Sequence, residues 1–149
     1  MDTTHKILHG AAIGLALIAV AFSAIVLTHA PRQRVASSSW GELSQGEIDA
    51  LTAILAKRAP HDVAIFCFDR GCDDIALDFD NALESAHWQS QIERPLVSSN
   101  VGIGVGPNNN DARALAAAIS TATKGRLQPG LIEADVNPGR LVLDIGRKP

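Results

Sequence analysis

The stretch VGIGVG, Val101 to Gly106, decides the fold class of this chain. Side chains alternate between the two faces of a β-strand, so Val101, Ile103 and Val105 share one face and the other face carries only glycine. A strand inside a doubly wound sheet is apolar on both faces, because helices cover both. The glycine face therefore favours an α+β domain in two layers, a mixed or antiparallel sheet with helices on one face. The alternative is a small three-layer doubly wound α/β sheet.

Helices and strands alternate on both sides of this stretch. Helical spacing of apolar residues predicts helices over residues 45–58, 73–88 and 111–124. Runs of strand-forming residues predict strands over residues 63–68, 92–97, 101–106, 131–136 and 140–146, and Pro95 places the second of these at a sheet edge. The order is α-β-α-β-β-α-β-β, ferredoxin-like in style. We expect the last two strands to form a hairpin through residues 137–140, with Asp144 facing water.

The first predicted helix has the clearest start and stop signals. Ser44 and Glu47 form a capping box, in which each side chain accepts a hydrogen bond from the other residue's backbone N–H. Lys57 and Arg58 suit the negative end of the helix dipole, and Pro60 stops the helix.

A second stretch, GAAIGLALIAVAFSAIVLT at residues 10–28, contains no charge, no amide side chain and no proline. As a helix it is about 28 Å long, close to the hydrocarbon thickness of a bilayer. It predicts a single transmembrane anchor in contact with the lipid bilayer. A polar tail (1–9) precedes it, and a flexible linker (29–42) and a soluble domain (43–149) follow.

Two other interpretations of this stretch exist. A buried core helix would carry a polar face, whereas this run is apolar all round. A cleaved secretory signal would end near Thr28-His29-Ala30, but the run is long for a signal and Pro31 disfavours cleavage. An uncleaved anchor is therefore the prediction.

The orientation and self-association of the anchor are predicted from few residues. Arg32 and Arg34 after the stretch outnumber Lys6 before it, which favours a cytoplasmic C-terminal side. A short tail before a signal-like anchor favours the opposite, and we expect an extracytoplasmic soluble domain. Gly10 and Gly14 form a GxxxG pattern that can bring two helices together as a homodimer, although this spacing arises easily by chance in a small-residue run.

Composition disfavours several classes of function. The net charge is -3 and aromatic residues make up 4%, so we expect no nucleic-acid partner. The acidic group of Asp69, Asp73, Asp74, Asp78 and Asp80 is dense enough to hold a divalent cation, but it lacks EF-hand spacing. A solvated acidic face is the prediction, with no metal. The five histidines are scattered, and we expect no cofactor.

The loop GVGPNNND, residues 104–111, is the first candidate site. It joins a strand to a helix N-terminus, where free N–H groups bind anions, and its candidate residues are Gly104, Gly106, Asn108, Asn109 and Asn110. Its GxGxG spacing differs from the dinucleotide-binding fingerprint, and no Lys-Ser/Thr pair follows. The alternative is a glycine face against which something bulky packs, followed by an Asn-rich helix cap.

Cys67 and Cys72 are the second candidate. They straddle a predicted strand-to-helix turn with C-x4-C spacing. Two free or structural thiols are the first interpretation and a structural disulfide the second. Catalysis is the third, because Asp73 and Asp74 oppose the formation of a thiolate there.

Together these features predict a single-pass, membrane-anchored small α/β domain. We expect a non-enzymatic binding or interaction module of a bacterial-type cell envelope, with a protein partner that the sequence does not name. The alternative is an anchored nucleotide- or anion-binding sensor or enzyme that uses the Gly104–Asp111 loop. A deep pocket lined by that loop would favour the alternative.

Overall fold

The computed structural model describes residues 40–68, 70–96, 100–134 and 139–149. These residues form a small α/β domain with a mixed five-strand sheet and three helices. The helices are α1 (Gln45–Leu55), α2 (Asp73–Ser85) and α3 (Asn110–Ala122). The strands are β1 (Asp62–Cys67), β2 (Gln89–Glu93), β3 (Ile103–Gly106), β4 (Gly130–Leu131) and β5 (Arg140–Ile145), and a 3-10 turn covers Arg70–Cys72. This order confirms the predicted α-β-α-β-β-α-β-β succession.

The sheet has the strand order β2-β1-β5-β3-β4. β1 is parallel to β2 and β5, β3 is antiparallel to β5, and β4 is parallel to β3. The predicted hairpin of the last two strands is therefore wrong, because β3 separates β4 from β5. The six-residue β5 is apolar and buried over most of its length, which suits the sheet centre. Both βαβ units join neighbouring strands, unlike the split units of ferredoxin-like folds.

The hydrophobic core contains residues from all three helices and from one face of the sheet. Every second residue of the central strands contributes to it: Val63, Ile65, Cys67, Ile103, Val105, Leu141, Leu143 and Ile145. α2 packs against β1 and β2, α3 packs against β3, β4 and β5, and α1 contacts both α2 and α3. Ile103 and Val105 share the core face as predicted, whereas Val101 is 65% exposed and precedes the strand.

The capping box at the start of α1 is confirmed. The Ser44 hydroxyl accepts from the Glu47 backbone N–H, and the Glu47 carboxylate accepts from the Ser44 N–H at 2.8 Å. The helix ends at Leu55, three residues before the predicted end. Leu55 is the last residue of the apolar face, and residues 56–60 are exposed, so a longer helix would bury nothing more.

The other element boundaries differ from prediction by a few residues. α2 ends at Ser85 instead of 88, because His87 adopts a left-handed φ of 65° and the Trp88 N–H returns to Leu83 O. β2 is an edge strand as predicted, but it covers 89–93 and ends before Pro95. α3 covers 110–122 instead of 111–124. β4 ends at 131, and residues 135–138 of the predicted strand and turn lie outside the described residues.

Trp40 is the first residue that the structure describes, and it docks on the domain. Its indole Nε1 donates to Gly146 O at 2.8 Å and its backbone N–H donates to Gly71 O at 3.3 Å. The predicted anchor at residues 10–28, with Gly10 and Gly14, lies outside the described residues. Within the described ranges, none of the helices has the length and apolar character needed to span a bilayer.

Candidate functional site

The glycine face of β3 is filled by the chain itself. A Cβ atom built on Gly104 would lie 2.7 Å from Ile132 Cγ2, and one on Gly106 would lie 2.7 Å from Ile132 O and 3.0 Å from Ala134 Cβ. The segment after β4 therefore crosses this face in direct contact with the glycine backbone. These glycines provide room for Ile132, which is the bulky partner that the sequence suggested as an alternative.

The polar side chains of the 104–111 loop organise the start of α3. Asn109 is the N-cap, and its side chain accepts from the Ala112 N–H at 2.8 Å. Asn108 and Asn110 accept hydrogen bonds from the Arg113 guanidinium at 3.0 and 3.1 Å. The sequence analysis missed Arg113. Its signal is the position four residues after the N-cap, from which a long side chain reaches back over the first turn.

Two aromatic rings lie near the same end of α3. His61 Nε2 lies 3.8 Å from the Asp111 carboxylate, and the His61 ring centroid lies 5.1 Å from that of Trp88. Trp88 is 3% exposed, and its indole N–H has no hydrogen-bond partner among the described residues. Sequence reasoning treated His61 as one of five scattered histidines, because the contact joins residues 50 positions apart.

Cys67 and Cys72 form a disulfide with a Cα–Cα distance of 5.7 Å. Both residues are buried in the core, Cys67 as the last residue of β1 and Cys72 as the N-cap position of α2. Cys67 Sγ lies 3.5 Å from the Asp73 carboxylate. The bond closes the strand-to-helix turn, which is the second of the three arrangements considered from the sequence.

The predicted acidic group does not converge. Asp73 pairs with Arg94 at 2.5 Å, Asp80 accepts from the Ser90 hydroxyl at 2.6 Å, and Asp69 lies outside the described residues. Asp78 was expected on the solvated face, but it is half-buried and accepts from the Leu43 N–H at 2.7 Å. Among the described residues no three His, Cys, Asp or Glu side chains are grouped to hold a metal ion.

A further polar cluster lies on the sheet face opposite the core. Arg140 at the start of β5 pairs with Glu93 at 2.8 Å and lies 3.5 Å from Asp62. Asp62 is the register partner of Arg140, whereas Glu93 lies further along the same face, opposite Phe66. Gln91 accepts from Arg140 at 3.5 Å. The cluster combines residues 62, 91, 93 and 140 from three parallel strands that are far apart in sequence. No local sequence motif therefore predicts it.

Asp144 lies on the same face and is buried, which corrects the prediction that it faces water. It is 8% exposed, its Oδ2 accepts from the Asn100 amide, and its Oδ1 has no hydrogen-bond partner in the described part of the chain. Burial raises the pKa of the Asp144 carboxyl, and the Asn100 hydrogen bond opposes this. Alternation along β5 points Asp144 away from the core, but this face of the sheet is covered at Asp144 and does not expose it to solvent.

An open cleft of about 280 Å³ lies beside the docked Trp40. Trp40, Ile103 and Leu127 form its apolar walls, and Arg126 stands at its side. The Arg126 guanidinium is held by the Glu47 carboxylate through two hydrogen bonds of 2.9 Å. Loop residues 104–111 do not line this cleft, so it is separate from the candidate anion loop.

Comparison with known proteins adds no functional assignment. No protein-family model, no curated protein and no solved structure matches this chain.

Proposed function

We propose that this chain is a single-pass membrane protein whose small α/β domain is a non-enzymatic binding or interaction module of a bacterial-type cell envelope. The uncharged stretch at residues 10–28 supports the anchor, because a helix of 19 mainly apolar residues matches the hydrocarbon thickness of a bilayer. The anchor stands before a domain that begins near residue 43.

One observation carries the choice of a binding module over a nucleotide sensor. Ile132 and Ala134 occupy the glycine face of the 104–111 loop, and Asn109 caps α3 with the oxygen that a bound anion would have to displace. The backbone approach that glycine-rich loops give to phosphates is used here for packing. The remaining polar side chains pair in separate places, with Arg140, Arg94 and Arg126 each holding a different carboxylate.

The disulfide supports an extracytoplasmic domain. Disulfides persist in oxidising compartments such as the periplasm and the cell exterior, and they are rare in the cytosol. Cys67 and Cys72 stand in disulfide geometry inside the core, so an oxidised pair is compatible with the packing around it.

We also propose that the domain is a two-layer sandwich. The two βαβ units, β1-α2-β2 and β3-α3-β4, each join neighbouring parallel strands. They run antiparallel to each other and lie on opposite sides of β5. With right-handed crossovers, this arrangement places α2 and α3 on the same face of the sheet. The contact of α1 with both other helices supports the same arrangement. The proposed partner of the module is a protein. Gly10 and Gly14 also allow the anchor helices of two copies of the chain to pack together.

Two measurements test the proposal. Protease treatment of intact spheroplasts should digest the soluble domain while a cytoplasmic control protein survives; full protection would overturn the extracytoplasmic placement. Photo-crosslinking in native membranes from Leu77 and Leu131, two exposed apolar positions, should capture a discrete protein, with exposed Glu84 as the matched polar control. Equal and unspecific capture at all three positions would contradict an interaction module.

The runner-up is an anchored nucleotide- or anion-binding sensor that uses the Gly104–Asp111 loop. Arg113 favours it, because its guanidinium lies beside Asn108 and Asn110 at the positive end of α3. Calorimetric titration with ATP and with inorganic phosphate decides between the two. A binding heat that is present in the native chain and absent in Arg113→Ala supports the sensor. The absence of binding heat at millimolar ligand rejects the sensor hypothesis.

A further inference from the structure

We propose that one end of the sheet is a lipid-facing surface, at which Val101, Arg147 and Lys148, beside Trp40, contact anionic phospholipid headgroups. These four residues form the lipid-facing end of the domain. The inference deepens the proposed function and rests on it, because the anchor at residues 10–28 must hold a bilayer near the domain.

The topology of the sheet brings Val101 and Arg147 together. β5 ends at Ile145, and β3 starts at the same end in the opposite direction, with Ile103 as the register partner of Ile145. Beyond this pair a bridge joins Val101 to Arg147, and the Arg147 N–H donates to Asn100 O at 3.1 Å. The backbone that carries both side chains is therefore fixed to the end of the sheet.

Trp40, the first residue that the structure describes, lies at the same end. Its indole Nε1 donates to Gly146 O at 2.8 Å, and it lines the open cleft together with Pro149. Residues 29–39 separate it from the predicted anchor, and this segment spans at most about 40 Å when fully extended. With the anchor in a bilayer, the tether keeps this end of the domain near the headgroups.

The side chains at the lipid-facing end combine apolar surface with positive charge. Val101 is 65% exposed, Arg147 and Lys148 are exposed as well, and Trp40 is half-buried. Cations near a membrane are attracted to anionic headgroups, and Trp and apolar side chains favour the interfacial region. This combination fits an anionic lipid surface better than a neutral one.

Carboxylates near this end make the attraction depend on the tether. The Arg126 guanidinium beside the cleft is held by Glu47 through two hydrogen bonds of 2.9 Å, which compensate its charge. The exposed Glu42, two residues after Trp40, opposes the other two cations in part. Two cations bind headgroups weakly from free solution, but a tether raises the local concentration of headgroups, so that a weak contact becomes populated.

The opposite end of the domain offers a matched pair of cations. Lys57 and Arg58 are exposed in the connection between the end of α1 and the start of β1. The start of β1 pairs with Gln89, which directly follows Trp88, at the other end of the strands from the lipid-facing end. The two tryptophans of the chain therefore report on opposite ends of the sheet.

Paramagnetic relaxation measures which end approaches lipid. Full-length chain labelled with 5-fluorotryptophan is inserted into nanodiscs with a gadolinium chelate on some headgroups, and Trp40→Phe assigns the two ¹⁹F resonances. The Trp40 resonance should be enhanced more in discs containing phosphatidylglycerol than in phosphatidylcholine discs, while Trp88 stays weakly enhanced in both. High salt should reduce the Trp40 enhancement to that of the neutral discs, because it screens the charges.

Two double variants locate the contact. Arg147→Gln with Lys148→Gln should lower the ratio of docked to free domain in anionic discs about tenfold, because both cations are lost, and the Trp40 enhancement then falls to the neutral-disc value. Lys57→Gln with Arg58→Gln removes the same charge from the opposite end and should keep the native enhancement. The lipid and salt dependence of the native chain tests the surface without any substitution.

Equal Trp40 enhancement in anionic and neutral discs would overturn the lipid-facing end, and so would equal losses in the two double variants. Stronger enhancement of Trp88 than of Trp40 would overturn it as well, because the opposite end would then face the lipid. A chain that is not recovered with the discs removes the proposed anchor and this inference with it. A chain recovered with the discs but insensitive to lipid charge removes this inference alone.

Discussion

At the scale of the residue, the glycines of β3 show how a missing side chain determines packing. Gly104 and Gly106 are buried, and the space beside them is taken by Ile132 and Ala134. The glycine pattern could be read in the sequence, but its partner could not, because Ile132 lies 26 residues after Gly106 and reaches it through the β3–β4 pairing, where the Ile132 N–H donates to Val105 O at 3.0 Å. The distinction between a phosphate cradle and a packing groove depends on that partner.

We expect Gly106→Ala to lower the free energy of unfolding by about 1–3 kcal/mol, because the new methyl group meets the Ile132 carbonyl oxygen at 2.7 Å. Urea unfolding of the full-length chain in micelles measures the loss. Gly130→Ala is the matched control, since nothing lies within 4 Å of its Cβ, and it should change stability by less than about 0.5 kcal/mol. Equal stability of both variants would show that Ile132 does not pack on this face.

Asp144 gives the second prediction at this scale. Its pKa is raised by burial, so the folded state binds the proton more tightly than the unfolded state. Its contribution to stability is therefore fully present below the unfolded value of 3.8 and is lost as pH rises through the folded pKa. Asp144→Asn should remove this loss, so the variant gains stability relative to the native chain as pH rises. Parallel pH profiles of the two proteins would contradict a buried carboxyl.

At the scale of the element, local chemistry was predicted well and pairing was not. The Ser44 and Glu47 box fixed the start of α1, and the apolar spacing fixed its buried face. The ends of helices and strands depended on where the core ends, as at Leu55. The extent of the core is set by tertiary packing, which local sequence does not encode. The position of β5 beside β1 depended on pairings between residues 78 positions apart, which no turn signal encodes.

We expect Ser44→Ala to cost about 1 kcal/mol, because the Glu47 N–H loses the Ser44 hydroxyl as an acceptor at the N-terminus of α1. Thermal unfolding followed by circular dichroism measures the change. Ser85→Ala, at the exposed end of α2, should stay within about 0.5 kcal/mol of the native chain. A cost at Ser85 as large as that at Ser44 would show that the cap is not the cause.

Glu47 also makes α1 sensitive to acid. Its hydrogen bonds with the Arg126 guanidinium lower the pKa of the Glu47 carboxyl from 4.5 to about 2. The stabilisation is present above 4.5 and is lost as pH falls towards about 2. Glu47→Gln should abolish this part of the acid profile, while Glu84→Gln on the exposed face of α2 should keep it. An unchanged acid profile in Glu47→Gln would show that Arg126 does not hold this carboxylate in solution.

At the scale of the whole molecule, the sequence predicted a small α/β domain with its element order, and the structure has both. The candidate site was less predictable. His61, Arg140 and Asp144 acquire their partners through tertiary contacts, and single positions in a sequence do not carry that information. Arg113 instead pairs locally with Asn108 and Asn110. The proposed function combines this domain with a membrane anchor at residues 10–28. The anchor is inferred from the length and hydrophobicity of that stretch, which do not depend on the fold of the domain.

The most direct test of the account is sedimentation of the full-length chain with native membranes. After high-speed centrifugation and an alkaline carbonate wash, we predict that the chain stays in the pellet and is released only by detergent, because 19 consecutive uncharged and mainly apolar residues are more stable in acyl chains than in water. Intact chain, with residues 10–28 confirmed by mass spectrometry, recovered in the supernatant without detergent would contradict the central claim.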